Sequence, residues 1–302
     1  MYRYCYGDSG YILLSGCPVR EREALCYRPL FIAWPVMTDH RLKLDHLVIA
    51  ARTLDEGARF VAAKFGVETA PGGAHPSMRT HNRLLNLWGG AYLEVIAVDP
   101  SAASVESPRP RLFALDDPAM QRRLEDDGPQ LVHWVARVEP PKSLTRWREQ
   151  YPERIAPVAA MSRAGNTWGL TVPDDGAFPA WQGAGDGVLP SLIQWDTPRH
   201  PSGALPETGI ALRTLTGFHP DAQAVSAQLA WLGAAHLLHV EQTAGAPVLV
   251  AQFDLPDGST LTLGESAEQA QAREEEARQA SKRRRTKKAE TQDEPAAPQQ
   301  PD

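Results

Sequence analysis

The chain has 302 residues, with 31 Lys plus Arg against 37 Asp plus Glu and a formal net charge of -6. That length allows one large domain or two small ones with a sizeable core. The acidic balance argues against a general nucleic-acid binder, which needs a basic face to neutralise phosphates. No apolar run approaches the roughly 20 residues a membrane span requires, so the sequence reads as that of a soluble protein.

Cys5, Cys17 and Cys26 are the only cysteines, and Tyr2, Tyr4, Tyr6, Tyr11 and Tyr27 crowd into the same N-terminal stretch. This compositional break marks residues 1–36 as an extension outside the domain, and Met37 as a plausible natural start. Leu14-Ser15-Gly16-Cys17 has the look of a lipobox, but Asp8 and Gly10 interrupt the apolar segment that should precede it. The main body has neither disulfide nor cysteine metal ligand, which fits a reducing cytoplasm.

The first folded unit is expected over about residues 42–98. Lys43 to Ala50 reads as a strand, apolar but for Asp45 and His46 beyond its first residue. Thr53 can cap the helix that follows, with Glu56 three residues later. Leu54, Ala58, Val61, Ala62 and Phe65 fall at helical spacing, and Gly66 ends the run. Pro71 to Pro76 reads as a glycine- and proline-bearing loop, Thr80 to Leu87 as a strand, and Trp88-Gly89-Gly90 as a turn. The unit closes on the strand Ala91 to Val98, which carries Glu94.

Residues 99–128 form a connection rich in proline and charge, with a short helix over Pro118 to Leu124. A second unit, about 129–198, begins with Leu131 to Val138, in which His133 repeats the lone-histidine strand. A helix over Lys142 to Tyr151 and strands at Trp168 to Val172 and Leu189 to Trp195 complete it. A weaker echo, about 208–264, holds a strand from Gly209, a helix over Ala222 to Leu232, and strands at Val248 to Leu255 and Ser259 to Leu263. Residues 266–302 lack large apolar side chains and contain the basic cluster Lys282-Arg283-Arg284-Arg285-Thr286-Lys287-Lys288. Such a segment reads as a disordered, solubilising tail.

Two histidines and one glutamate, each on its own apolar strand, are the minimum for a metal centre. The stretches Leu44 to Ala50, Gly72 to Leu85, Gly90 to Ile96 and Leu189 to Trp195 with His200-Pro201 carry a further signal. Through them the chain resembles the vicinal oxygen chelate superfamily, and within it the glyoxalase-like domain proteins, over roughly residues 42–265. The resemblance implies an α+β fold of tandem βαβββ units, forming a curved, mixed but mostly antiparallel sheet around a central cleft. It also implies metal ligands at His46, Glu94 and His133, with Gln194 where the second unit would place a carboxylate.

A divalent metal (iron(II), manganese, nickel, cobalt or zinc) in such a site would hold neighbouring substrate oxygens. His81 and His200 are candidate acid–base residues by type. Asn82, Arg83 and Trp195 are candidates for substrate binding, because an arginine can clamp a carboxylate or phosphate. The expected function is a metal-dependent lyase, isomerase or dioxygenase-like enzyme acting on a small oxygen-rich molecule. A metal-free binder of the bleomycin-resistance type and a partner-binding scaffold remain the alternatives, with a homodimer left open.

Overall fold

A computed structural model describes residues 41–102, 109–163, 165–197 and 200–264. The extension read at 1–36 and the tail read at 266–302 lie outside these residues. The first unit consists of β1 (Lys43–Ala50), α1 (Leu54–Phe65), β2 (Ala70–His75), β3 (Thr80–Leu87) and β4 (Ala91–Val98). Helix α2 (Pro118–Asp126) lies in the connection. The second unit consists of β5 (Gln130–Arg137), α3 (Leu144–Gln150), β6 (Val158–Arg163), β7 (Asn166–Thr171) and β8 (Ser191–Trp195). Last come β9 (Ala211–His219), α4 (Ala222–Leu232), β10 (His239–Gln242), β11 (Val248–Asp254) and β12 (Thr260–Leu263).

The first two units build one sheet in the order β2-β3-β4-β1-β5-β8-β7-β6. Each is a βαβββ unit whose first strand pairs parallel with its last, β1 with β4 and β5 with β8. They join back to back along the antiparallel β1–β5 pair. The two-fold repeat of the sequence is thus a repeat of structure, and the α+β cup that the family resemblance implied is present.

Local chemistry explains the first unit. Thr53 caps α1 by accepting a hydrogen bond from the Glu56 N–H, and Gly66 ends it in the left-handed region at φ 69°. Alternation along β1 splits its side chains between two cores. Leu47 and Ile49 pack on the outer face with Val61 and Phe65 of α1, while Val48 and Ala50 face the cup with Ile96 and Val135.

Two expectations change. The stretch read as a loop at Pro71 to Pro76 is largely the edge strand β2, where an edge position spares Pro71 the missing donor. Strands β6 and β10 had no clear signal, because short, half-exposed edge strands carry little apolar alternation. The third segment forms a separate sheet ordered β10-β9-β11-β12, with β9 central and parallel to β10. It repeats the sequence of elements but not the strand order of the other two units. Among the described residues no helix is long and apolar enough to cross a membrane.

Candidate functional site

His46 lies on the cup-facing side of β1, two residues before Val48, and Glu94 lies on the cup-facing side of β4, two residues before Ile96. His46 Nε2 stands 3.4 Å from Glu94 Oε2. A register shift between Leu44 and His46 marks a β-bulge against β5, leaving Asp45 as the extra residue. A bulge re-aims side chains, and here it lets two consecutive residues join one buried cluster. Asp45 Oδ1 accepts from His46 Nδ1 at 2.7 Å. Its Oδ2 accepts from Trp195 Nε1 and His200 Nε2, both at 2.9 Å. Arg137 Nη1 lies 3.9 Å from the same oxygen, and Tyr92 stacks on His46 with centroids 4.7 Å apart.

The far side of Glu94 is equally organised. Asn82 Nδ2 donates to Glu94 Oε1 at 2.5 Å, and Asn82 Oδ1 accepts from Arg163 Nη1 at 2.6 Å and from Gly73 N–H at 3.1 Å. His75 Nε2 faces two donors, Arg163 Nη1 at 3.3 Å and Asn82 Nδ2 at 3.4 Å. It therefore accepts there, and its Nδ1 donates to Thr80 Oγ1 at 3.2 Å. Gly72 permits this approach, since a Cβ at that position would lie 2.0 Å from Asn82 Oδ1. Arg163 comes from β6, at the opposite end of the sheet, so the curvature brings both units to one place.

These contacts govern ionisation. Burial opposes charge on Asp45, but hydrogen bonds from His200 and His46 outweigh it and hold the carboxyl well below the usual range. For Glu94, burial is likewise outweighed by His46 and Asn82, and the value falls to about 2. Burial disfavours the His46 cation, yet Asp45 and Glu94 raise its value to about 9. The resting centre is an imidazolium held between two carboxylates. His75 is pushed down to about 4, chiefly by burial, and stays neutral near pH 7.

The second unit is different. The register that sets Val48 beside Glu94 sets Val135 beside Ser191, so Ser191, three residues before Gln194, is the counterpart of Glu94. His133 occupies the counterpart of the His46 position. Its Nε2 accepts from the Ser191 N–H at 3.0 Å, which fixes Nδ1–H to donate to Gly187 O at 3.0 Å. Phe113 and Phe178 pack on its ring, and burial pushes its value down to about 3. Gln194 lies between the cup-facing Ile193 and Trp195 and turns the other way. There its amide accepts from Leu144 N–H and donates to Lys142 O, both at 2.8 Å, at the start of α3.

Of the residues singled out in the sequence, the structure brings His46, Glu94, Asn82, Trp195 and His200 together. It places His133 and Gln194 apart from them. Arg83 alternates with Asn82 and faces outward, bonding Thr69 Oγ1 and Thr69 O at 2.7 Å each. His81 shares that outward face. Trp168 reaches the cup, whereas Trp88 is exposed. Sequence reasoning missed Asp45, His75, Tyr92 and Arg163. A charged residue beside His46 in an apolar strand was the available signal for Asp45; Arg163 had none, because only curvature brings it here.

A divalent ion is the group the resemblance implies, and the donor set can be tested for it. His46 Nε2 and Glu94 Oε2 are suitable donors, with Asp45 and Asn82 engaging their other atoms as outer partners do. The second half contributes none: His133 has both nitrogens bonded to protein, Ser191 replaces a carboxylate, and an arginine cation faces His75. Among the described residues no group of three or more His, Cys, Asp or Glu is arranged to hold an ion. The described residues do not by themselves complete a metal centre.

The glyoxalase-like domain family profile matches residues 44–233, more than half the chain. The chain belongs to the glyoxalase-like domain family. Its paired βαβββ cup is the vicinal oxygen chelate fold. The glyoxalase-like chain matches no curated protein. Among solved structures, a hypothetical protein from Staphylococcus aureus is 14% identical with a TM-score of 0.45, covering 73% of this chain and 85% of that one. Methylmalonyl-CoA epimerase from Mycobacterium tuberculosis is 17% identical with a TM-score of 0.31, covering 51% and 86%. The Streptomyces coelicolor methylmalonyl-CoA epimerase is 16% identical with a TM-score of 0.32, covering 51% and 98%. Likeness at these levels carries no argument about substrate or reaction.

Proposed function

We propose that this glyoxalase-like protein is an enzyme that moves a proton on a small, anionic carbonyl compound, as an isomerase or lyase. The observation that carries this is the buried Asp45–His46–Glu94 chain, whose His46 and Glu94 line the same cavity as Asn82 and Arg163. Titratable groups strongly shifted by burial and by specific charged partners in a cleft mark a candidate acid–base site.

In this reading Glu94 accepts the proton of a carbon beside a carbonyl, and that C–H bond breaks. The electron pair moves to the carbonyl oxygen, which takes the Nε2 proton of the His46 imidazolium. Return of the oxygen's proton to His46, with a proton delivered to the other face of that carbon or to its neighbour, completes an isomerisation. Expulsion of a leaving group, which departs with the proton held by Glu94 while His46 recovers its own, completes an elimination. Asp45 holds the His46 ring in place, and Arg163 with Asn82 binds the substrate's anionic group. Trp168 and Trp195 flank it. The cavity measures about 20 Å³, near the size of one water. Substrate binding therefore requires Arg163 or the covering Leu112-Phe113 segment to shift.

The test is deuterium incorporation from D₂O into a panel of 2-oxo and 3-oxo acids, followed by proton NMR with and without chelator. Exchange that survives chelation and is lost in Glu94→Gln and Arg163→Met supports the proposal. Ligand binding without exchange favours a binder. The adjacent His46–Glu94 donors favour a second reading, in which substrate oxygens complete a metal site; exchange abolished by chelator would support that instead.

A further inference from the structure

A long groove runs along the molecule away from the cup. One part, about 800 Å³, lies between the start of α2 and the loops at 152–157 and 173–180. An adjoining part, about 600 Å³, continues to the ends of β11 and β12. The two share Met120, Arg123, Phe178, Asp186, Ala246 and Pro247. Proline, alanine and Phe178 form much of the floor. The rim is acidic, with Asp117, Glu153, Asp174, Asp175 and Asp186 lining the larger part beside only Arg123 and Arg154. All five carboxylates are exposed. Arg154 is turned inward, bonding Gln228 and lying over Trp181 and Trp231, so the groove keeps an acidic excess.

The described chain ends inside this groove, because Gly264 lines its smaller part. The basic cluster Lys282 to Lys288 follows after a short spacer. At about 3.3 Å per extended residue, that spacer reaches roughly 60 Å, ample for a groove that begins at its own anchor. Tethering also raises the local concentration of the cluster far above that of any separate protein. We infer that the groove is the docking surface for this chain's own basic segment, Lys282 to Lys288, through its acidic rim. The contact is electrostatic, since the segment has no large apolar side chain for the floor. It weakens as salt shortens the screening length.

Carbodiimide cross-linking of the full chain, with mass spectrometry of the peptides, tests this. Mixing unlabelled and ¹⁵N-labelled chains separates links within one molecule from links between two. The expected result is intramolecular links from Lys282, Lys287 or Lys288 to Asp117, Glu153, Asp174, Asp175 or Asp186. Their yield should fall about threefold or more between roughly 20 mM and 500 mM salt, as the screening length contracts. The surface variant Asp174→Asn with Asp175→Asn, checked for an unchanged melting curve, should lose the links at those positions and weaken the remainder. Links confined to the tail's own glutamates, spread over all surface carboxylates by exposure, or formed only between chains would overturn the inference.

Discussion

Asp45 is the residue on which the centre turns. It is fully buried, and His46, Trp195 and His200 all donate to it. A buried carboxylate survives only when its lone pairs are satisfied and a cation is near. Asp45→Asn keeps the shape but removes the charge. It should lower the His46 value from about 9 toward neutrality, which a titration of its ring proton by NMR would show. The linkage also has a sign on each side of neutrality. His46 is raised, so its contribution to stability is present below the unfolded value of 6.5 and lost as pH rises through about 9. His133 and His75 are depressed to about 3 and about 4, so their contributions are present above 6.5 and lost as pH falls through those values. Melting temperature should therefore peak near pH 6.5 and decline on both sides, with His46→Gln flattening the alkaline limb. A curve flat from pH 4 to 9 would contradict these assignments.

At the scale of elements, the bulge in β1 and the glycine pair in β2 place the side chains. Gly72→Ala would drive a methyl group into Asn82 Oδ1 and the Asn82 carbonyl, at 2.0 and 2.5 Å. β2 must then move or Asn82 must rotate, so the Glu94 hydrogen bond is lost. Destabilisation of about 1–3 kcal/mol is expected, as for other overpacking changes, together with loss of the deuterium exchange; chemical denaturation and the exchange assay read the two effects. This element also shows what the sequence could reveal. Strands with strong apolar runs, β1, β4 and β5, were legible, as was α1 with its Thr53 and Gly66 caps. β2, β6 and β10 were not, because edge strands with proline, glycine or alanine, as in β2 and β6, or with Val240 as the one apolar residue, as in β10, lack the alternation that marks a half-buried strand. His46 and Glu94 could be paired because each stands on an apolar strand at the position the family resemblance implies. Gln194 was set opposite His133 because counting residues cannot see the register, which instead puts Ser191 there.

At the scale of the molecule, two units of one fold carry different centres. The first keeps histidine and carboxylate and gathers charge into the cup. The second keeps the histidine but gives it Ser191 and Gly187 as partners, which turns the same position into a structural tie. The division predicts different phenotypes, a loss of stability alone in the second unit and a loss of turnover as well in the first. His133→Ala should cost several kcal/mol in denaturation, roughly 2–5 by analogy with other buried truncations. Glu94→Gln should abolish turnover and, by leaving the buried His46 cation with one carboxylate fewer, also lower stability by about 1–3 kcal/mol. Exchange activity retained in Glu94→Gln would argue that the first centre is also only structural.

The most direct measurement is the ¹⁵N spectrum of His46 in histidine-labelled full chain at pH 7.5, before and after one equivalent of zinc. The account predicts an imidazolium, with both ring nitrogens protonated, and a spectrum unchanged by the metal. A neutral ring whose Nε2 signal shifts on adding zinc would contradict it, and would make His46 and Glu94 the core of a metal centre.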